Sequence, residues 1–250
     1  MISKLKSFIG NNKFYKEIKF WKDVGFADFF SFEKLWLFKK VYPYTMSGYK
    51  RLSNVYELAK KIEKKKINGA FVECGVWKGG CTAIMAFVSK KAGSLRKVWL
   101  FDSFEGLPEP TYKDGLLARE YAQNKAGGNR KTIEKCIGPI EYVNKILFDI
   151  LRINRDNIII KKGWFQNTLL KVQKEIGPIS ILRLDGDWYE STKCCLENLY
   201  DNVIIGGYII VDDYGHWEGA RKALEEFFIS RKIKPNLIKI DYTGIYFQKP

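Results

Sequence analysis

The sequence predicts an α/β fold built on an open, mostly parallel sheet, and three observations carry that expectation. From residue 70 onward, short apolar runs alternate with helical patterns, as in successive βαβ units. The first apolar run ends in a glycine-rich turn, Glu73-Cys74-Gly75-Val76-Trp77-Lys78-Gly79-Gly80. Two later runs, Leu182-Arg183-Leu184-Asp185-Gly186-Asp187 and Ile209-Ile210-Val211-Asp212-Asp213, each end in a pair of acids. On parallel strands these endings share one sheet edge, which is where open α/β sheets bind ligands.

Taken in order, Ala70–Cys74 reads as the first strand, followed by a helix from near Gly79 to about Lys90. Lys97–Asp102 is a second strand and Asn157–Lys161 a third, with a helix over Phe165–Glu175. Ile179–Asp185 is a fourth strand, followed by a helix over Ser191–Asp201. Tyr208–Asp212 is a fifth, followed by a helix over Trp217–Ser230. Leu237–Asp241 and Gly244–Gln248 form a terminal hairpin at the sheet edge. Two segments break the rhythm. Residues 1–69 are rich in lysine and aromatics and form an N-terminal helical cap before a domain spanning 70–250. Residues 103–156 are far too long for a simple crossover and read as a lid-like insertion, mobile around Gly127-Gly128-Asn129-Arg130.

Bulk properties narrow the class. At 250 residues with 46% hydrophobic and 28% charged residues, the chain can bury a substantial core. No apolar run approaches the ~20 residues of a membrane span, and the start lacks the pattern of a signal peptide, so the expected location is the cytoplasm. The five cysteines (Cys74, Cys81, Cys136, Cys194, Cys195) have neither CxxC spacing nor an even count, which speaks for buried free thiols. The net charge of +15 is concentrated early. Residues 1–70 carry 16 Lys/Arg against 6 Asp/Glu. That excess suits a solvated face or an anionic partner.

The chemistry lies in the turns. Glycines at the first strand-to-helix turn let a ligand approach the backbone and meet the free N–H groups of the helix start. The spacing is neither the GxGxxG of dinucleotide sites nor a P-loop. Asp102, ending the second strand, is placed to accept hydrogen bonds from ribose hydroxyls. With the turn at Ser103, it points to an adenosine ligand without pyrophosphate, which S-adenosylmethionine satisfies. Trp164 follows the third strand and can stack on a purine or anchor a helix. Asp185 and Asp212 end successive strands, close enough to share one divalent ion with Asp213. Oxygen ligands suit Mg²⁺, with Mn²⁺ equally acceptable. His216, the one histidine, is a general base, a substrate contact or neither.

At this point the chain resembles the macrocin O-methyltransferases. The resemblance rests on Thr45-Met46-Ser47-Gly48-Tyr49-Lys50-Arg51-Leu52, the Glu73–Gly80 turn, Phe101-Asp102-Ser103-Phe104-Glu105-Gly106-Leu107-Pro108, Gly163-Trp164-Phe165, Leu182–Thr192 and Gly206–Tyr214, and covers residues 43–248. It implies a class I methyltransferase (Rossmann-like) fold, with a seven-stranded, mostly parallel sheet and helices on both faces. It implies Mg²⁺-dependent methylation of a sugar hydroxyl from S-adenosylmethionine. Carried onto this sequence, Glu73, Gly75 and Gly79 form the cofactor turn, Asp102 and Ser103 lie near the ribose and Trp164 near adenine. Thr45 and Met46 close over the cofactor. Asp185, Asp212 and Asp213 hold the metal, and Asp185 is the leading base with Asp187 its rival.

The acceptor is the least constrained part, because residues 1–42 and 103–156 depart from the family. A sugar on a natural product or a surface glycan is expected. A catechol-like acceptor is the nearest alternative. A protein that binds nucleic acid or a membrane surface through its basic segment belongs to another class. Nucleic acid is disfavoured because an acidic site repels phosphate. A peripheral membrane contact through residues 1–40 and a homo-oligomer stay open.

Overall fold

Among the described residues, seven strands form one sheet in the order β3-β2-β1-β4-β5-β7-β6. The structure is a computed structural model that describes residue 22, residues 24–123 and residues 127–250. The strands are β1 (Ala70–Cys74), β2 (Val98–Asp102), β3 (Ile158–Lys162), β4 (Ile179–Leu184), β5 (Val203–Val211), β6 (Ile238–Lys239) and β7 (Ile245–Gln248). The first five are parallel. β7 runs antiparallel to β5, with β6 antiparallel to it at the edge. β1 and β4 are central and buried along their whole length, which is why they read as nearly unbroken apolar runs.

Side-chain alternation divides the core between the two faces of the sheet. Phe71, Leu100, Ile181 and Ile210 face one side, and Val72, Phe101, Leu182 and Ile209 the other. Helices α1 (Phe32–Val41), α2 (Tyr49–Lys64) and α3 (Gly80–Lys91) cover the first face. In α2 the buried Leu52, Val55, Tyr56, Ala59 and Ile62 recur at helical spacing. Each large apolar side chain so buried contributes roughly 1.5–3 kcal/mol before entropy is counted. Helices α6 (Phe165–Ile176), α7 (Tyr189–Leu199) and α8 (Glu218–Arg231) cover the other face. The described part of the N-terminal segment thus shares the main core. Residues 1–21 and 23 of the expected cap lie outside the described residues.

The segment between β2 and β3 holds the short helices α4 (Gly115–Tyr121) and α5 (Ile140–Asn144), the latter running into a π-helical stretch. Its first half docks onto the sheet's C-terminal edge through a third apolar cluster of Leu107, Ala118, Ala122, Ile133, Trp188, Trp217 and Ala220. Asp114, 1% exposed, accepts from the Tyr189 backbone N–H, and Trp188 Nε1 donates to the Pro108 carbonyl at 2.9 Å. Within Gly127-Gly128-Asn129-Arg130, Gly128 N donates to Pro110 O and Arg130 Nη1 to Asn167 Oδ1.

Several boundaries differ from the expected ones. β5 begins at Val203, five residues early, because Val203 pairs with Ile179 across a register shift that precedes Tyr208 and contains Gly206, whose φ is +80°. α7 begins at Tyr189 and ends before Asp201. Asp185 and Asp212 lie one step past their strands.

Candidate active site

The sheet register sets the site. Cys74 pairs with Leu184 and Leu184 with Val211, so the next residues, Gly75, Asp185 and Asp212, fall side by side. Backbone bonds continue the ladder one step further: Asp185 N donates to Cys74 O at 2.8 Å and Asp212 N to Leu184 O at 2.9 Å. Gly75 has φ +88°, and a Cβ there would lie 1.8 Å from the Asp185 carbonyl oxygen. Only glycine allows β1 and β4 to approach so closely at this point.

A cleft opens above these strand ends. Met46, Gly75, Asp102, Ser103 and Trp164 line it, five of the eight residues expected at a cofactor, together with Asp185 and Asp187. Thr45, Glu73 and Gly79 stand behind this lining. Thr45 Oγ1 accepts from Ser47 N, and Gly79 starts α3 with φ +90°. Glu73, 1% exposed, accepts from Thr82 and from Arg183 Nη1. Asp102 is more committed than a free ribose ligand: its carboxylate accepts from the backbone N–H groups of Val76, Trp77 and Phe104 at 2.7–2.9 Å. It therefore braces the glycine turn while it lines the cleft. Trp77, Cys136 and Asp187 line the cleft with φ of 51°, 55° and 57°, a strained backbone of the kind found at functional sites.

Six carboxylates meet two guanidiniums here. Arg183 donates to Glu73, Asp185 and Asp212, and its Nη2 also reaches Ser47 Oγ at 3.2 Å. Arg51, from α2, holds the other oxygen of Asp212 and lies 3.1 Å from Asp241. Burial works against the Arg183 charge, yet Asp185 and Asp212 hold its pKa well above the usual value. Asp187 and Asp213 have no ion-pair partner among the described residues. Burial, with Asp185 next to it, pushes the Asp187 carboxyl up to about 8 despite a 2.7 Å bond from Trp217 Nε1. Burial and the neighbouring Asp187 raise Asp213 as well.

Oxygens of Asp185, Asp187 and Asp213 converge within 4.8 Å of one another. This differs from the expected set of Asp185, Asp212 and Asp213, because the two arginines occupy both oxygens of Asp212. The sequence reading assigned Arg183 and Arg51 no part in the site. Arg183 had a visible signal, a cation inside an apolar strand, where a buried charge must find partners. Arg51 had none, because its partners lie just past β5 and in the β6–β7 turn. His216 is exposed, its ring 4.4 Å from that of Trp217.

Known proteins share this arrangement of sheet and chain. The chain matches the model of the macrocin-O-methyltransferase (TylF) family over residues 39–249. It is 33% identical over 208 residues to the demethyldecarbamoylnovobiocin O-methyltransferase of Streptomyces niveus, covering 82% of this chain and 76% of that one. It is 33% identical over 206 residues to the 8-demethyl-8-(2,3-dimethoxy-alpha-L-rhamnosyl)-tetracenomycin-C 4'-O-methyltransferase of Streptomyces olivaceus, covering 82% and 75%. Among solved structures, that of the O-methyltransferase NovP superposes with a TM-score of 0.71 at 32% identity, covering 82% of each chain. Among the described residues no helix is long and apolar enough to cross a membrane. With a seven-stranded methyltransferase sheet, a glycine turn facing paired carboxylates and a family match over most of its length, this chain belongs to the macrocin-O-methyltransferase family and is an O-methyltransferase.

Proposed function

We propose that the chain transfers the methyl group of S-adenosylmethionine to a hydroxyl of a sugar, borne on a natural product or a surface glycan. The observation that carries this reading is a single cleft. Its cofactor-side lining of Met46, Gly75, Asp102, Ser103 and Trp164 runs directly into Asp185 and Asp187. The relatives' names supply the acceptor class, since one acts on a rhamnosyl-bearing tetracenomycin.

The reaction is a direct displacement. The acceptor oxygen bonds to the methyl carbon, the carbon–sulfur bond breaks, and S-adenosylhomocysteine leaves with the electron pair. The hydroxyl proton goes to a carboxylate. Asp187 suits that role better than Asp185, because Arg183 already compensates Asp185 at 2.7 Å while no guanidinium pairs with Asp187, which lines the cleft. Trp217 Nε1 orients Asp187, and holding donor and acceptor in line supplies much of the acceleration.

The donor set fits a divalent cation: convergent carboxylate oxygens outnumber the nearby guanidiniums. Asp185 and Asp213 are common to the sequence reading and the geometry, and we place Mg²⁺ or Mn²⁺ on them. Asp187 completes the set in this arrangement, and Asp212 completes it if Arg51 releases its oxygen. When bound, such an ion lowers the pKa of an acceptor hydroxyl and steadies the developing alkoxide.

Calorimetry with S-adenosylmethionine, with and without Mg²⁺, followed by mass spectrometry of rhamnosides and of catechol, tests this reading. Cofactor binding with a methyl mass gained by a sugar supports it. Methylation of catechol alone moves the acceptor to the catechol class, and absence of cofactor binding removes the reading altogether.

A further inference from the structure

One group of aromatic rings adjoins the reacting carboxylates and has no part in the cofactor cleft. Trp217, 6% exposed, donates Nε1 to Asp187, and the His216 ring sits 4.4 Å from it. The Tyr242 ring lies 6.3 Å beyond His216 at 87°, so the two rings make a corner. Tyr242 is 70% exposed although backbone contacts fix its position. Gly215 N donates to Thr243 O at 2.8 Å, and a Cβ on Gly215 would lie 2.1 Å from the Tyr242 carbonyl oxygen. The backbone N–H groups of His216 and Trp217 both donate to Asp213 O at 3.0 Å. The corner is thus joined rigidly to the turn that carries Asp213. Its outer ring is two ring-to-ring steps from the one that touches Asp187.

We propose that His216 and Tyr242 form an outer acceptor subsite that holds the unit attached to the methylated sugar. This assignment rests on the sugar-hydroxyl reading above. Trp217 lies beside the reacting sugar, and the perpendicular His216–Tyr242 pair offers one ring face and one ring edge to an apolar or aromatic neighbour. His216 is then a specificity residue that takes no proton. The pair selects acceptors by what the sugar carries, while Asp187 and its surroundings handle the hydroxyl itself.

Binding of matched glycosides to the full chain, with S-adenosylhomocysteine present, tests the subsite. The probes are 4-nitrophenyl and methyl pyranosides of the same sugars, led by the α-L-rhamnosides, followed by saturation-transfer NMR. Wild type should prefer the aryl member by about fivefold, the worth of one aromatic contact. Tyr242→Ala should collapse that preference to within about twofold, His216→Ala should reduce it, and Tyr242→Phe should retain it, since each keeps or removes that one contact. An unchanged preference in Tyr242→Ala, or none in wild type, overturns the subsite and leaves the sugar reading standing. If S-adenosylhomocysteine binds and no pyranoside of the panel does, the sugar reading falls and the subsite with it.

Discussion

Arg183 on β4 and Glu73 on β1 are register partners across adjacent central strands, joined at 2.7 Å with each side chain only 1% exposed. The pair lies directly behind the cleft, and the same guanidinium also holds Asp185 and Asp212. One buried cation thereby fixes the backs of three strand ends. Burial raises the Glu73 carboxyl to about 7 against the pull of Arg183, so the arrangement is dear in desolvation.

Arg183→Met should therefore cost about 3–5 kcal/mol, because it strands buried carboxylates instead of merely deleting a contact. Urea unfolding measures this directly. Arg183→Met combined with Glu73→Gln should recover part of the loss. A single-variant loss below ~1 kcal/mol, the range of ordinary surface substitutions, would show the pair to be idle.

Gly75→Ala places a Cβ against the Asp185 backbone, in a region of φ that L-residues avoid. The β1 and β4 ends must separate, with the carboxylates displaced from the cofactor turn. Cofactor affinity should fall by at least about tenfold, ~1.4 kcal/mol, in calorimetry. Gly93→Ala, also at positive φ but with open space around its Cβ, should cost only ~1 kcal/mol of stability and leave that affinity intact.

The acidic residues should separate by role when Mn²⁺ affinity and turnover are measured together. Asp213→Asn should weaken the ion and lower turnover by about 100-fold or more, as for a removed metal ligand. Asp187→Asn should reduce turnover by at least a similar ~100-fold, the usual worth of a general base. Asp212→Asn reads the third position. A loss of Mn²⁺ affinity as large as that of Asp213→Asn makes Asp212 a ligand, whereas a loss of stability alone makes it a counter-ion of Arg51 and Arg183.

A pH effect follows from the N-terminal helices. Burial raises the Asp28 carboxyl, but hydrogen bonds from Lys34 at 2.7 Å and from Tyr49 overcome it and hold the pKa below the usual 3.8. A carboxyl depressed by folding adds stability above its unfolded pKa and loses it as pH falls through the folded value. The stability gap between wild type and Asp28→Asn should be full at pH ~5 and shrink below pH ~4, the unfolded carboxyl range. Thermal unfolding of both proteins across that range checks it, and a gap that widens in acid reverses the assignment.

Much of this protein could be read from the chain because its signals are local. Apolar runs ending in glycine or paired acids mark β1, β4 and β5, and the helical spacing of apolar residues marks α8. The 27 residues from Asp185 to Asp212 are one helix and one strand, which is enough to place them as neighbours on a parallel sheet. The family motifs likewise lie in continuous stretches. Tertiary structure decided everything that depends on which side chain faces which. Arg183 meets Glu73 through the β1–β4 register, Arg51 takes Asp212 across 161 residues, and Trp217 reaches back to Asp187. Periodicity records the face a residue occupies but not the charge opposite it. The division of the four aspartates into paired and unpaired carboxylates is therefore a property of the folded sheet edge.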